Sequence, residues 1–265
     1  NFLIVLFAGF ATSFLSLSKV ITYLLETHPI QLWSFFFGLI IISALMMLRE
    51  VRQWNVGVFI AIIIGTVVAY FITAAVPTET PDDPWFLFIV GAVAICAMIL
   101  PGISGSFILV LLGSYKTILE AVDEKNIKIL ATVAIGCVFG LLSFAKILKW
   151  LFANYKNYTL ATLTGFIVGS LNKIWPWKIT ETVFDKSSGT IVDFDTISNL
   201  GSLTVYQKQI NNFETYKIAL EKSVLPLKYT EANLGENNNL VLAIALAILG
   251  FVLILVLEKL AKKKI

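Results

Sequence analysis

Long apolar runs separated by short polar punctuation organise this chain. Phe2 to Leu25, Ile30 to Leu48 and Val56 to Val76 each read as a helix long enough to cross a hydrocarbon core of about 30 Å. The turn Glu26-Thr27-His28-Pro29 parts the first two, and Arg49-Glu50-Val51-Arg52 closes the second. Pro77 ends the third, ahead of an acidic, proline-punctuated loop from Thr78 to Pro84. Two shorter pieces follow, Trp85 to Leu100 and Ser104 to Ile118, and each is too short to cross unaided. Together they predict a re-entrant helical hairpin. Ile127 to Leu151 is another span, and Tyr158 to Leu171 a shorter one. Hydropathy then collapses from Asn172 to Asn239, and Leu240 to Leu257 is the last span before the tail Glu258-Lys259-Leu260-Ala261-Lys262-Lys263-Lys264.

Composition places this pattern in a class. The 265 residues are 58% hydrophobic, with a mean hydropathy of +0.86. That excludes an ordinary soluble domain and predicts an all-α polytopic membrane protein. Cys96 and Cys137 lie inside apolar runs, which predicts reduced thiols and no disulfide framework. Asn1-Phe2-Leu3 is already inside an apolar run without a charged n-region, so this stretch is not expected to be a signal peptide. The expectation is that the protein starts upstream of residue 1.

The hairpin turn carries the most unusual local chemistry. Leu100-Pro101-Gly102-Ile103-Ser104-Gly105-Ser106 sets a proline, two glycines and two serines in the middle of an apolar run. Pro101 removes an N–H and disfavours helix at Leu100. Gly102 and Gly105 admit other groups close to the backbone, and Ser104 or Ser106 can cap the helix that restarts toward Leu112. Irregular backbone at membrane depth survives only where it is buried in protein or lines a cavity. The dipole of the restarting helix would suit an anion.

An internal repeat is visible at an offset of 127 residues. It carries Leu15-Ser16 onto Leu142-Ser143, Lys19 onto Lys146, Gly38 onto Gly165 and Ser43 onto Ser170 without a gap. The span that opens at Asn55 then matches the one that opens at Asn239, with the polar segment as an insertion. The counterpart of Pro101-Gly102 falls upstream of residue 1. The organisation expected is a first repeat over 1–76 lacking its hairpin and a second over 77–172 with its hairpin at 85–118. An extracytoplasmic insertion over 173–238 follows, and 239–265 supplies the last span and a basic tail. Lysine and arginine placement puts the C-terminus, Arg49, Arg52 and the Lys146-Lys149-Lys156 stretch in the cytoplasm. Asp82, Asp83 and the insertion fall outside, provided the hairpin enters and leaves on one face. Three crossings per repeat then make the second repeat inverted relative to the first, an architecture of secondary transporters.

Site residues follow from that organisation. Lys19 and Lys146 are matched by the repeat, and a lysine within a span is costly enough to suggest function. With Pro101, Gly102, Ser104, Gly105 and Ser106 they form the expected substrate site, suited to an anion and to phosphate above carboxylate. Glu26 and Glu50, at span ends, are candidates for coupling to protons or sodium. No metal cluster, nucleophile elbow or nucleotide phosphate loop occurs, and His28 is the single histidine. Catalysis, cofactors and nucleic-acid partners are not expected.

The string Met98-Ile99-Leu100-Pro101-Gly102-Ile103-Ser104-Gly105-Ser106-Phe107-Ile108-Leu109, with Leu112-Gly113-Ser114-Tyr115, resembles the signature of the PopT family of prokaryotic polyprenyl-phosphate translocases. The resemblance extends to Ser18-Lys19, Phe35-Phe36-Phe37-Gly38, Lys173-Ile174-Trp175-Pro176-Trp177-Lys178 and Val224-Leu225-Pro226. It implies a multi-pass protein of the cytoplasmic membrane that moves undecaprenyl phosphate, or a similar carrier, from the outer to the inner leaflet for reuse. Its partners would be that lipid and the surrounding membrane. The family's Pro-Gly-x-Ser-Gly-Gly string near the N-terminus is not in this sequence, and the insertion from Lys178 to about Pro226 is long for the family. A secondary transporter of a small soluble anion or amino acid would use the same architecture. A non-transporting scaffold working through the insertion is the third reading.

Overall fold

The computed structural model describes scattered positions before residue 27, then residues 27–75, 83–185, 190–194, 216–233 and 237–262. Nine helices occur among them: α1 Pro29–Arg49, α2 Val56–Ala74, α3 Pro84–Ile99, α4 Gly105–Leu111, α5 Tyr115–Asp123, α6 Ile127–Asn154, α7 Lys156–Ser170, α8 Pro226–Ala232 and α9 Leu240–Lys262. A 3₁₀ turn, Leu171–Ile174, continues α7. Strands β1 Lys178–Asp185, β2 Ile191–Asp193 and β3 Tyr216–Ser223 form one antiparallel sheet in the order β2-β1-β3. The apolar part is helical as its composition requires, and among the described residues the sheet is confined to the polar segment that follows α7. The first apolar run is described only at those scattered positions, and Lys19 and Glu26 lie outside the described residues.

Four helices, α1, α2, α6 and α9, are long and apolar enough to cross a membrane. The outward faces of α2, α6 and α9 carry rows of exposed large apolar side chains, such as Phe59, Ile63 and Phe71 on α2 and Ile135, Val138 and Leu142 on α6. Rows this long are compatible with lipid and not with water. The other expected span, α7, has 15 residues, about 22 Å, and is instead the most enclosed helix, with Thr159, Thr164 and Ser170 buried. Thr159 and Thr164 tolerate that burial because their hydroxyls donate to carbonyls one turn back, Thr159 to Tyr155 and Thr164 to Leu160, and half-buried Thr162 does the same to Tyr158.

The chain divides into two compact units, one of residues 1–39 with 174–265 and one of residues 40–173. In the second unit α7 runs parallel to α2. The Cβ that Gly165 lacks would collide with the Ile62 carbonyl, and that of Gly65 with the Thr162 carbonyl. In the first unit the Cβ of Gly38 would collide with the Ala247 carbonyl, and that of Gly250 with the Phe35 carbonyl. These contacts correspond residue for residue. An offset of 127 carries Phe35 and Gly38 onto Thr162 and Gly165, and one of 185 carries Ile62 and Gly65 onto Ala247 and Gly250. Close backbone approach between small residues is how apolar helices associate where the solvent is equally apolar.

The first unit also seats the sheet. Ile30, Trp177, Tyr229 and Ala243 form its buried cluster, with Trp175 and Val224 packed against it. Trp175 Nε1 donates to the Val224 carbonyl and Trp177 Nε1 to that of Asn238, both at 2.8–2.9 Å. Lys178 Nζ lies 4.7 Å from the Trp33 ring centre and 3.4 Å from Glu221 Oε2. The Trp-Pro-Trp and Val-Leu-Pro strings thus meet in one place. Where β1 bulges against β3, the Thr182 hydroxyl is buried without a partner among the described residues. Thr182→Val is expected to leave thermal stability unchanged or raise it by about 1 kcal/mol, read by a melting curve in detergent.

Candidate functional site

Sequence and structure agree on where the backbone breaks. Helix α3 ends at Ile99, and the Leu100 N–H still reaches back to the Cys96 and Ala97 carbonyls. Pro101 cannot continue the ladder, and Gly102 turns the chain with φ +89. The segment is held from inside by alternation: Ile103 and Ile108 are buried against Ala94 and Ala97 of α3, with Ile72 of α2 beside them. Gly102, Ser104 and Ser106 remain exposed, while Gly105 is buried where a Cβ would meet the Ala94 carbonyl and Met98. Ser104 and Ser106 hydroxyls share a hydrogen bond of 2.9 Å.

The restarting helix differs from the expectation. It does not run on to Ile118: α4 is seven residues long and stops in a Schellman turn at Gly113, φ +67. There Ser114 N–H donates to the Leu109 carbonyl and Gly113 N–H to that of Val110. A helix of two turns sums few peptide dipoles, so its N-terminus offers an anion little. Ser104 sits at the N-cap position but its side chain makes no capping bond. The chemistry at the break is therefore that of two seryl hydroxyls and a turned backbone.

The outer wall of the break is the end of α7. A Cβ on Gly102 would strike Ser170 Oγ and Cβ and approach the Phe166 carbonyl, so the turn lies directly on that helix end. Ser170 Oγ donates to Ile167 O at 2.8 Å and stays buried. Three residues on, within the 3₁₀ turn, Lys173 Nζ stands 5.1 Å from the ring centre of Phe107. Lys173 was not among the expected site residues. Its signals in the sequence were that it follows the short span directly and opens the string Lys173-Ile174-Trp175-Pro176-Trp177-Lys178.

Of the expected lysines, Lys19 lies outside the described residues, and so does Glu26. Lys146 is on the exposed face of α6, flanked by exposed Phe139, Leu142 and Trp150. Helices α3 and α6 run parallel, with Phe88 against Gly136 and Ala92 against Gly140. That registry brings Lys146 to the axial height of Met98, level with the break. It stands on the other side of α6 from α3, however, and the structure does not bring it to the loop. Glu50 is exposed in the turn after α1, and nothing among the described residues joins it to the break. No cluster of metal-ligating side chains occurs among the described residues.

Helices of this length and apolarity, with lipid-compatible faces and a broken helix lodged against an enclosed, threonine-rich one, define a multi-pass membrane protein. The sequence model of the undecaprenyl phosphate translocase-like family matches residues 1–192, and the chain belongs to that family. It is 41% identical over 262 residues to a polyprenyl-phosphate transporter of Vibrio cholerae, covering 99% of this chain and 77% of the relative. It is 31% identical over 231 residues to a polyprenyl-phosphate transporter of Staphylococcus aureus, covering 77% and 79%. Both relatives bear the name of a transporter and not of an enzyme. No solved structure matches the chain.

Proposed function

We propose that the protein transports a polyprenyl phosphate, undecaprenyl phosphate above others, from the outer to the inner leaflet of a prokaryotic cytoplasmic membrane. The observation that carries this reading is the break between α3 and α4, in a chain of this family, with Ser104 and Ser106 exposed beside the end of α7. Moving a phosphate through hydrocarbon costs many kcal/mol unless charge and hydrogen-bonding groups meet it on the way. On this reading the break supplies such groups within the membrane, with Ser170 a full 15-residue helix, about 22 Å, from the other end of α7. The prenyl tail stays in lipid while the headgroup passes.

The same reading makes the helix pair α3–α4 a re-entrant hairpin, and each of the two equivalent glycine crossings then pairs a helix of one inverted repeat with a helix of the other. The repeats expose the site to each leaflet in turn. The C-terminal tail is cytoplasmic, and the sheet-bearing insertion over 173–238 is an extracytoplasmic cap. Lys146, exposed at the height of the break, meets lipid phosphates from the side, with Lys19 as its counterpart in the first repeat. Glu26 and Glu50 are the groups to examine for coupling to protons or sodium.

The test is leaflet transfer of labelled undecaprenyl phosphate in proteoliposomes. Transfer is expected for the parent and to fall about two- to fivefold in Lys146→Ala, the loss of one exposed ionic contact. A folded parent that moves no polyprenyl phosphate but moves a small soluble anion would replace this reading with the soluble-anion transporter.

A further inference from the structure

The break is tied to the α7 end at two points. Gly102 lies on Ser170, and Phe107 lies under Lys173. The second contact sets a lysine ammonium against an aromatic ring. Among the described residues no carboxylate pairs with Lys173, and its ammonium rests on a ring face. A ring quadrupole attracts a cation more weakly than an anion does, and it leaves the ammonium's N–H groups available. Lys173 is half-buried, so its charge is less screened than that of a surface lysine. On the other strand of the turn, the Ser104–Ser106 hydrogen bond uses one hydroxyl proton and leaves the second to donate outward.

We propose that Lys173 is the residue that binds the phosphate headgroup at the break, with the hydroxyls of Ser104 and Ser106 as its hydrogen-bonding partners. The inference rests on the transport reading and deepens it, since it moves the working cation from Lys146 to Lys173. The chemistry fits a phosphomonoester. An ammonium is a compact charge with three donors, and two neighbouring hydroxyls satisfy further phosphate oxygens. Phe107 keeps the ammonium at the mouth of the turn without neutralising it, as a carboxylate would. A prenyl alcohol, with no charge to offer, gains nothing from Lys173.

Equilibrium binding of farnesyl phosphate and of farnesol to the full chain in detergent, alongside leaflet transfer of undecaprenyl phosphate, tests the assignment. Lys173→Ala is expected to weaken farnesyl phosphate binding about ten- to a hundredfold and to leave farnesol unchanged within twofold. Lys173→Arg should recover most of the loss, and Phe107→Leu should cost about two- to fivefold. Lys173→Gln keeps most of the side chain and its polarity without the charge, and gives the same answer should the alanine variant fail to fold. A folded Lys173→Ala or Lys173→Gln protein that binds farnesyl phosphate as the parent does, while the parent transports, overturns the role of Lys173 and leaves the transport reading standing. A parent that neither binds farnesyl phosphate nor transports undecaprenyl phosphate overturns both.

Discussion

Gly102→Leu is expected to cut leaflet transfer at least about thirtyfold while the protein still inserts and purifies. Two costs combine. At φ +89 an L-residue pays about 1–2 kcal/mol for the left-handed backbone. The side chain must then displace Ser170 and crowd the Phe166 carbonyl, an overpacking cost of about 1–3 kcal/mol. Together they make the turn seen here at least about 2 kcal/mol harder to hold, which is the thirtyfold. Gly102→Ala separates the two terms when combined with Ser170→Gly. The second change removes the side chain that the new methyl strikes and leaves the φ penalty, so the double variant should recover part of the loss and not all of it. Undiminished transfer by Gly102→Leu would show that the turn need not sit on α7 for transport.

The second large effect is expected at Gly165, where α7 and α2 touch backbone to backbone. Leucine there would push into the Ile62 carbonyl and the Gly65 Cα. The helices cannot part without opening the buried contacts of Val58, Leu160 and Ala161 nearby. A loss of 3 kcal/mol or more follows from the upper range of overpacking costs, about 10 °C in melting temperature. Gly38→Leu makes the corresponding intrusion against Ala247 in the other unit, and the two variants should lose comparable stability. Melting curves in one detergent, read by intrinsic tryptophan fluorescence, compare them directly. A Gly38 variant that melts like the parent would mean that the two crossings are alike in geometry but not in weight.

Much of the helical frame was legible because membrane helices announce themselves by uniform apolarity. The expected ends of α1, α2, α3, α6 and α9 fall within a few residues of the observed ones. Punctuation located the break at Pro101-Gly102 for a local reason, a missing N–H and a positive φ, which needs no knowledge of the fold. The second break, at Leu112–Ser114, was equally local but masked: a single glycine in an apolar run is common in membrane helices, so Gly113 did not stand out. The sheet was hidden by its own bulge. Ile179 and Val183 begin an alternation that the register shifts around Thr182 interrupt, so the period of two never persists. Lys173 could not be paired with Phe107 from the chain alone, because only the seating of Gly102 on Ser170 brings those distant stretches together. Lys146 illustrates the opposite case. The repeat singled it out and its axial height matches the break, but the side of α6 on which it stands depends on which stripe meets α3.

The glycines that let helices touch also set how a pair can move. On α7 the notches are Gly165 and Gly169, and on α6 they are Gly136 and Gly140, in each case one turn apart. A small axial slip would drive an ordinary Cβ against a neighbouring carbonyl, whereas a slip of one full turn, about 5.4 Å, brings a notch back opposite the backbone. Each pair therefore behaves as a detent, stiff against gradual shear and permissive only of whole steps.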